Sequence, residues 1–367
     1  MPEKNTIIPI FIPHKGCPND CYFCNQKKIT GAKSDISSTD IINQIESYLR
    51  TIPSEGNHIE IAYFGGSFTA IDRTIQEQLL AIAHHYKLMG NINTVRVSTR
   101  PDAINDDILD LLVKYSVDIV ELGVQSMDDQ VLFKINRGHT SEDVKRASYL
   151  IKNRNITLGH QIMPGLFGSS IEKDINTAVE SIKLHPDIVR IYPTLIIRDT
   201  EFERLYRQNR YQPLDLAESI GLVSLIYAMY MQDNIKIIRV GLQPTDNMTV
   251  GKDIIAGPFH PAYRQMVMTN IYVESIIHYL RDKETKKITI RCNEKSYNYI
   301  VGLSKKGLAR LHESLIIEDL SYIKDNNVEL IEIQIQHENI RLSERNLIET
   351  FYTICKEKDY VSKRDYY

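Results

Sequence analysis

The sequence has no run of about 18 apolar residues, the length a helix needs to cross a bilayer. No membrane-spanning helix is therefore expected. The first residues, MPEKNTIIPIFIPHKG, break an apolar run with prolines and a histidine, where a secretory leader needs an unbroken one. Cysteine is scarce and odd in number, five in 367 residues. A cytoplasmic, reducing location is the expectation, and there clustered cysteines are more often metal ligands or catalytic groups than disulfides. Neither sign of charge dominates: 44 Lys+Arg stand against 47 Asp+Glu, a net charge of −3. That balance neither demands nor excludes a nucleic-acid partner, because placement of charge matters more than its total.

What the sequence does contain is a rhythm. Apolar, β-branched runs at 7–13, 59–64, 94–98, 118–123, 157–163, 187–193 and 235–240 recur at the length of a βα unit. Helical spacing fills the gaps. Ser38, Thr39 and Asp40 can cap the stretch 41–49, Asp106 and Asp107 can open 108–115, and 142–153 and 171–184 keep apolar residues on one face. Serial βα units imply a parallel sheet with helices packed outside it, here a partial or full α/β barrel over residues 1–245. In barrels the chemistry gathers at the C-terminal ends of the strands. Gln243-Pro244-Thr245, Gly257-Pro258 and His260-Pro261 then mark a turning segment, so 246–282 reads as a connection ending in a helix over about 261–280. Alternating strands around Ile288, Ile290, Cys292 and around Ile331, Ile333, Ile335 follow, with a helical stretch at 296–312 and a last helix from Ser343. Residues 283–367 are expected to form a small α+β domain.

The strongest local signal is GCPNDCYFCNQ, in which Cys17, Cys21 and Cys24 follow the first strand. Thiolates are the natural ligands of iron–sulfur clusters. Three of them leave one iron of a four-iron cluster without a protein ligand, open to chelation by a substrate. The alternatives are a zinc site completed by His14, or buried structural cysteines. Zinc sites usually come as two separated ligand pairs, whereas these candidates share one short loop. Cys292 and Cys355 stand alone and read as small buried apolar residues.

The Cys-x3-Cys-x2-Cys spacing, with Phe23 before the last cysteine, is similar to that of the radical S-adenosylmethionine (SAM) superfamily. VSTRPDAI (97–104), ELGVQS (121–126), NRGHT (136–140), QIMPGL (161–166) and IYPTLIIRDT (191–200) resemble the Elongator protein 3 family, over about residues 5–245. The acetyltransferase domain of that family is not evident, since no glycine-rich acetyl-CoA loop follows a strand in the last part of the chain.

The resemblance implies a partial (β/α)6-type radical SAM barrel. It implies a [4Fe–4S] cluster on Cys17, Cys21 and Cys24 that cleaves SAM to a 5′-deoxyadenosyl radical, fed by a one-electron donor such as flavodoxin or ferredoxin. It implies that Gly65, Gly66 and Ser67 contact the methionine amino group of SAM. Arg137 matches an arginine that pairs with the SAM carboxylate in the coproporphyrinogen-oxidase branch, Gln125 would reach a ribose hydroxyl, and Gln161 a ribose or adenine atom. Related proteins often carry a glutamate where this chain has Ser98, and Glu121 on the next strand is the expected substitute. For each of these polar residues the alternative is a hydrogen-bonded group of the barrel interior, and for the glycines an ordinary strand-to-helix turn. Tyr192 can face into or out of the barrel. Arg198, Arg204, Arg207 and Arg210, interleaved with Asp199, Glu201 and Glu203, read first as a solvated face, and second as a phosphate or SAM contact.

The substrate implied is RNA, in particular tRNA, because Elongator protein 3 modifies wobble uridines. Lys286, Lys287, Lys305, Lys306 and Arg310 would then contact phosphates. Radical chemistry on a small molecule such as a porphyrin precursor is the second reading. A non-catalytic metal-binding interaction protein is the third.

Overall fold

The computed structural model describes residues 4–12, 17, 20–25, 37–53, 56–242, 251–283, 286–336 and 338–358. His14 and the turn expected at Gln243-Pro244-Thr245 lie outside them. None of the helices among the described residues is long and apolar enough to cross a membrane.

Seven strands form one sheet: β1 (Lys4–Ile12), β2 (Asn57–Gly65), β3 (Thr94–Thr99), β4 (Ile119–Gln125), β5 (Thr157–Ile162), β6 (Ile188–Ile191) and β8 (Lys236–Val240). They pair in the order β1-β2-β3-β4-β5-β6-β8, and every pairing is parallel. All seven coincide with the apolar runs seen in the sequence. β1 and β8 end the series, so the sheet is open. It is nonetheless strongly curled. The Arg190 guanidinium of β6 lies 5.3 Å over the Phe64 ring of β2. A flat sheet would hold strands four places apart at about 19 Å, so the sheet wraps around its own interior as a partial barrel.

Helices follow the strands: α1 (Ser38–Thr51), α2 (Arg73–Leu88), α3 (Asp106–Lys114), α4 (Asp129–Lys134), α5 (Ser141–Asn153), α6 (Ile171–Ile182) and α7 (Glu201–Arg207). Their starts are fixed by side-chain caps, which satisfy amides that have no partner within the helix. Ser37 and Asp40 form a reciprocal capping box on α1, so the cap falls one residue before the expected Ser38. Asn105, rather than either aspartate after it, caps α3. A short antiparallel pair, β7 (Ile196–Ile197) with β9 (Ile254–Ala256), completes this part of the chain.

The chain divides into two compact units, one of Met1–Leu214 with Ile235–Phe259, the other of Asp215–Asn234 with His260–Tyr367. Helix α8 (Leu216–Gln232), between β7 and β8 in sequence, groups with the second unit. It buries residues on all sides, including Leu222, Leu225, Ile226, Met229 and Tyr230, and packs against α9 (Tyr263–Leu280) and the last helix, α12 (Glu344–Glu357). A helix apolar all round belongs inside a core.

The second unit also holds a sheet of β10 (Lys287–Cys292), β11 (Asp319–Lys324), β12 (Ile331–Ile335) and β13 (Glu338–Leu342), in the order β11-β10-β12-β13. The helix expected over 296–312 is two helices, α10 (Glu294–Val301) and α11 (Lys306–Ser314). They are split where Ser304 and Lys305 take left-handed backbone angles, φ 51° and 60°.

Candidate active site at the cysteine loop

The C-terminal ends of β1 to β5 converge beside the cysteine segment. Gly65 ends β2 with φ 107°, and a Cβ there would stand 3.1 Å from the Ile12 carbonyl oxygen at the end of β1. The Gly66 amide donates to that same oxygen at 2.8 Å. Only glycine lets the two strand ends close this tightly. Ser67 is buried, and its hydroxyl meets Thr99 Oγ1 at 2.9 Å and accepts from the Arg100 amide at 3.2 Å. The Gly-Gly-Ser turn is thereby tied to the end of β3.

The cysteine segment is held from the other side. The Tyr22 amide donates to the Ile135 carbonyl, Phe202 donates from its amide to the Tyr22 carbonyl, and Asn136 Nδ2 donates to the Asp20 carbonyl. Tyr22 and Phe23 pack against an apolar cluster that includes Leu132, Ile135, Phe202 and Tyr211. Cys21 is buried, Cys17 and Cys24 are half-buried, and none of the five cysteines is disulfide-bonded. The Cys24 thiol is pushed up to about 12, by burial first and then by the neighbouring Cys21 and Cys17 sulfurs, while Arg137 pulls the other way. Three sulfurs that repel one another's charge in this way need a cationic group to hold them as thiolates. Among the described residues no three His, Cys, Asp or Glu side chains converge as ligands of a single ion.

Arg137 is the link between this loop and the barrel. It is buried, with Nη1 3.5 Å from Cys21 Sγ and Nη2 donating to the Gly123 carbonyl at 2.8 Å. Gly123 makes the room: a Cβ there would lie 2.6 Å from Arg137 Nη2 and 2.8 Å from Gln125 Nε2. Gln125 adopts φ 67°, unusual for a side-chain-bearing residue, and its Oε1 accepts from Gln161 Nε2 at 3.2 Å. The structure therefore brings Arg137, Gln125 and Gln161 to one place. Strained backbone kept at a strand end is a mark of functional sites.

Glu121 is held differently from the expected ribose contact. Its Oε2 accepts from Arg96 Nη1 at 3.0 Å and from Arg190 Nε at 2.7 Å. Arg96 also pairs with Glu60, so a buried ladder of alternating charge runs Glu60–Arg96–Glu121–Arg190 through the barrel interior. Arg190 continues to the Tyr192 hydroxyl at 3.1 Å, which places Tyr192 on the interior side. Arg198 is tied down by the Lys252 and Gly251 carbonyls, and Arg204 and Arg207 pair with Glu201 and Glu203 on α7 itself. This arrangement suits the first reading of that basic stretch, a solvated face.

Arg100, His139 and Gly123 were not among the residues expected from sequence. Arg100 and Asp102 form a two-pronged pair, Nε to Oδ1 at 2.9 Å and Nη2 to Oδ2 at 2.8 Å. Burial works against the Arg100 charge, but Asp102 and the nearby Cys21 and Cys17 sulfurs outweigh it and hold the group more basic than usual. His139 is pushed down to about 3 by burial, with Arg137 adding to the effect, so its ring is neutral. Its Nε2 lies 3.1 Å from the Val124 carbonyl, which can only accept, so the proton is on Nε2 and the Nδ1 lone pair is left over. The signal available in sequence was position: Arg100 and Asp102 directly follow a strand, as catalytic barrel residues do.

Four buried polar atoms at these strand ends have no hydrogen-bond partner among the described residues: Ser98 Oγ, Arg100 Nη1, Arg137 Nε and His139 Nδ1. Buried polar groups are rarely left so, because each costs about 1–3 kcal/mol. Their grouping beside three cysteines fits a site built for a polar, anionic guest together with an iron–sulfur cluster.

Comparison with known proteins agrees with this geometry. The profile of the Radical SAM superfamily matches residues 11–178, and that of the Radical_SAM C-terminal domain matches residues 186–273. The chain is similar to a tRNA uridine(34) acetyltransferase of Dehalococcoides mccartyi, 26% identical over 61% of this chain and 56% of the relative. A tRNA uridine(34) acetyltransferase of Methanocaldococcus jannaschii is 30% identical over 46% of this chain and 35% of the relative. The chain thus spans about half the length, or less, of these curated relatives. In fold it is similar to an amino-terminally truncated Elp3 of Methanocaldococcus infernus, with a TM-score of 0.56 and 20% identity over 74% of this chain and 63% of that one. With the two profiles falling in order on more than half of its length, and the fold and cysteine loop in agreement, the chain belongs to the radical SAM superfamily.

Proposed function

We propose that this chain is a radical SAM enzyme that modifies tRNA, with a [4Fe–4S] cluster on Cys17, Cys21 and Cys24 and SAM at the strand ends beside it. The observation that carries this is the contact of Arg137 with Cys21 Sγ, beside Arg137 Nε, Arg100 Nη1, Ser98 Oγ and His139 Nδ1, four buried strand-end atoms without a partner among the described residues. Bound there, the cluster supplies the electron that splits SAM into methionine and a 5′-deoxyadenosyl radical able to take a hydrogen from substrate.

The residues of the chain bind and orient. Arg137, anchored on the Gly123 carbonyl, offers its Nε–H and its positive charge to the SAM carboxylate. Gly65, Gly66 and Ser67 present backbone at close range to the methionine amino group. Gln125 and Gln161, already bonded to each other, present amide edges for ribose or adenine. Ser98 offers a hydroxyl, with no partner among the described residues, to the same region. Glu121, committed to Arg96 and Arg190, holds the barrel interior in shape rather than contacting ribose. Neutral His139 adds an acceptor without adding charge. The one-electron donor is of the flavodoxin or ferredoxin kind.

The names of the similar proteins support tRNA as substrate, acting at uridine. Lys305 and Lys306 stand exposed on the second unit, while Lys286 and Arg310 face Glu318 and Glu274. Phosphate contacts by Lys305 and Lys306 would make binding salt-dependent through counterion release. The test is filter binding of tRNA across a salt series, alongside a polyanion of equal charge. We expect tRNA to bind more tightly, and charge reversal at Lys305 and Lys306 to flatten the salt slope by about one to two phosphate equivalents. If tRNA binds no better than the polyanion, and a porphyrin precursor stimulates SAM cleavage instead, the tRNA reading falls.

A further inference from the structure

We infer that Thr177 and Asp174, on the buried face of α6, are positioning residues of the SAM site: together they lock Gln125 in the left-handed backbone in which its amide meets Gln161. The inference rests on the proposed place of Gln125 beside SAM.

The buried face of a helix packed on a sheet is ordinarily apolar. Of the five side chains that α6 buries, Asp174, Thr177 and Ser181 are polar. Residues three and four apart lie on one helix face, so the three form a ridge. Each has a partner on β4, on β5 or just past their ends. Ser181 Oγ lies 2.8 Å from Nδ1 of His160, a buried residue of β5. Thr177 Oγ1 accepts from the Met127 amide at 3.0 Å and lies 3.3 Å from Ser126 Oγ, directly after Gln125. Asp174 accepts from the Gly165 amide at 2.7 Å and from Ser169 Oγ at 2.6 Å, in the loop after β5. That loop returns a bond to β4, because the Met163 amide donates to the Gln125 carbonyl at 2.9 Å. Between Met163 and Gly165, the Pro164 carbonyl accepts from both the amide and the hydroxyl of Thr194.

Gln125 is therefore gripped from two sides, and both grips lead to α6. Its φ of 67° is one that a residue with a Cβ keeps only where its surroundings over-determine it. In that pose Gln125 Oε1 accepts from Gln161 Nε2 at 3.2 Å, and Gly123 leaves the room for its amide beside Arg137. A valine at 177 would fill the same space but leave the buried Met127 amide unpaired. Neither Thr177 nor Asp174 is placed to meet a ligand, and each acts through Gln125.

The experiment is equilibrium dialysis of SAM against the anaerobically reconstituted full chain. Thr177→Val keeps the shape and removes the hydroxyl. It should weaken SAM binding about tenfold, as the loss of one hydrogen bond does, with iron and sulfide content unchanged. Thr177→Ser keeps the hydroxyl and should stay within twofold of wild type. A threonine that only supports the fold would act the same whatever stands at 125, so a double-mutant cycle decides. In a Gln125→Ala background, Thr177→Val should have no further effect on SAM affinity. Wild-type affinity in Thr177→Val, with only its thermal stability lowered, overturns the inference. So does an equal loss in Thr177→Ser, or a loss that simply adds to that of Gln125→Ala. If Thr177→Val fails to assemble a cluster, Asp174→Ala takes its place in the cycle and is read by the same criteria. A Gln125→Ala protein that binds SAM as wild type does would instead overturn the placement of Gln125 itself, and the inference with it.

Discussion

Arg137 Nη1 lies 3.5 Å from Cys21 Sγ, although 116 positions separate the two residues in the chain. That contact joins the loop after the first strand to the segment after the fourth, and makes one site of two distant motifs. It also gives Arg137 an anchor independent of any ligand, the Gly123 carbonyl. Arg137→Ala should weaken SAM binding by about 1.5–3 kcal/mol, the worth of a charge-assisted contact, with iron and sulfide content unchanged. Equilibrium dialysis of SAM against reconstituted protein measures it. Affinity within twofold of wild type would remove Arg137 from the SAM site.

The buried ladder makes a different prediction. Glu121 sits between Arg96 and Arg190, with its side chain 4% exposed. Glu121→Gln keeps the shape and removes the charge, leaving Arg96 its pair with Glu60 and Arg190 its contact with the Tyr192 hydroxyl. Breaking a buried pair from one side costs about 3–5 kcal/mol. Urea unfolding should show a loss of that size at unchanged slope. A loss below about 1 kcal/mol would mean that water already reaches the ladder.

Much of this was legible in the sequence, and the reasons it was or was not are specific. The seven parallel strands were visible because each is rich in β-branched apolar residues, even though four of them also carry a charge of the interior ladder, Glu60, Arg96, Glu121 and Arg190. The cysteine loop was visible because its three ligands are local. Helix α8 gave no periodic signal, since a helix buried all round has no polar face to count against. β11 was missed because its residues are largely exposed at a sheet edge, so no alternation of apolar side chains marks it. Glu121 was assigned toward ribose because a chain reading cannot see that Arg96 and Arg190, on two other strands, meet its carboxylate. Arg100 and His139 were passed over for the same reason: what singles them out is one unpartnered atom each, a property of the folded site alone.

Asp174 offers a test by pH. It is buried at the start of α6, accepting from the Gly165 amide at 2.7 Å and Ser169 Oγ at 2.6 Å, and it fastens the loop after β5. Burial raises its carboxyl from 3.8 to about 7, against the pull of those two donors. The folded chain thus binds this proton more tightly than the unfolded chain does. The associated stability is full below the ordinary value of 3.8 and is lost as pH rises toward about 7. Asp174→Asn, which carries no titrating proton, should therefore gain on wild type through that window and then hold level. Thermal unfolding of both proteins across the pH range measures this. Parallel profiles would mean that the Asp174 carboxyl titrates alike in the folded and unfolded chains.

The most direct measurement is of SAM cleavage by the anaerobically reconstituted protein. With about four irons and four sulfides per chain and a strong one-electron reductant, wild type should convert SAM to 5′-deoxyadenosine and methionine. Cys17→Ala, Cys21→Ala and Cys24→Ala should each lose both the cluster and the product, while Cys292→Ala and Cys355→Ala, each altering a buried thiol of the second unit, should keep both. Zinc without sulfide in the anaerobic protein, or no 5′-deoxyadenosine from a fully loaded one, would contradict the account.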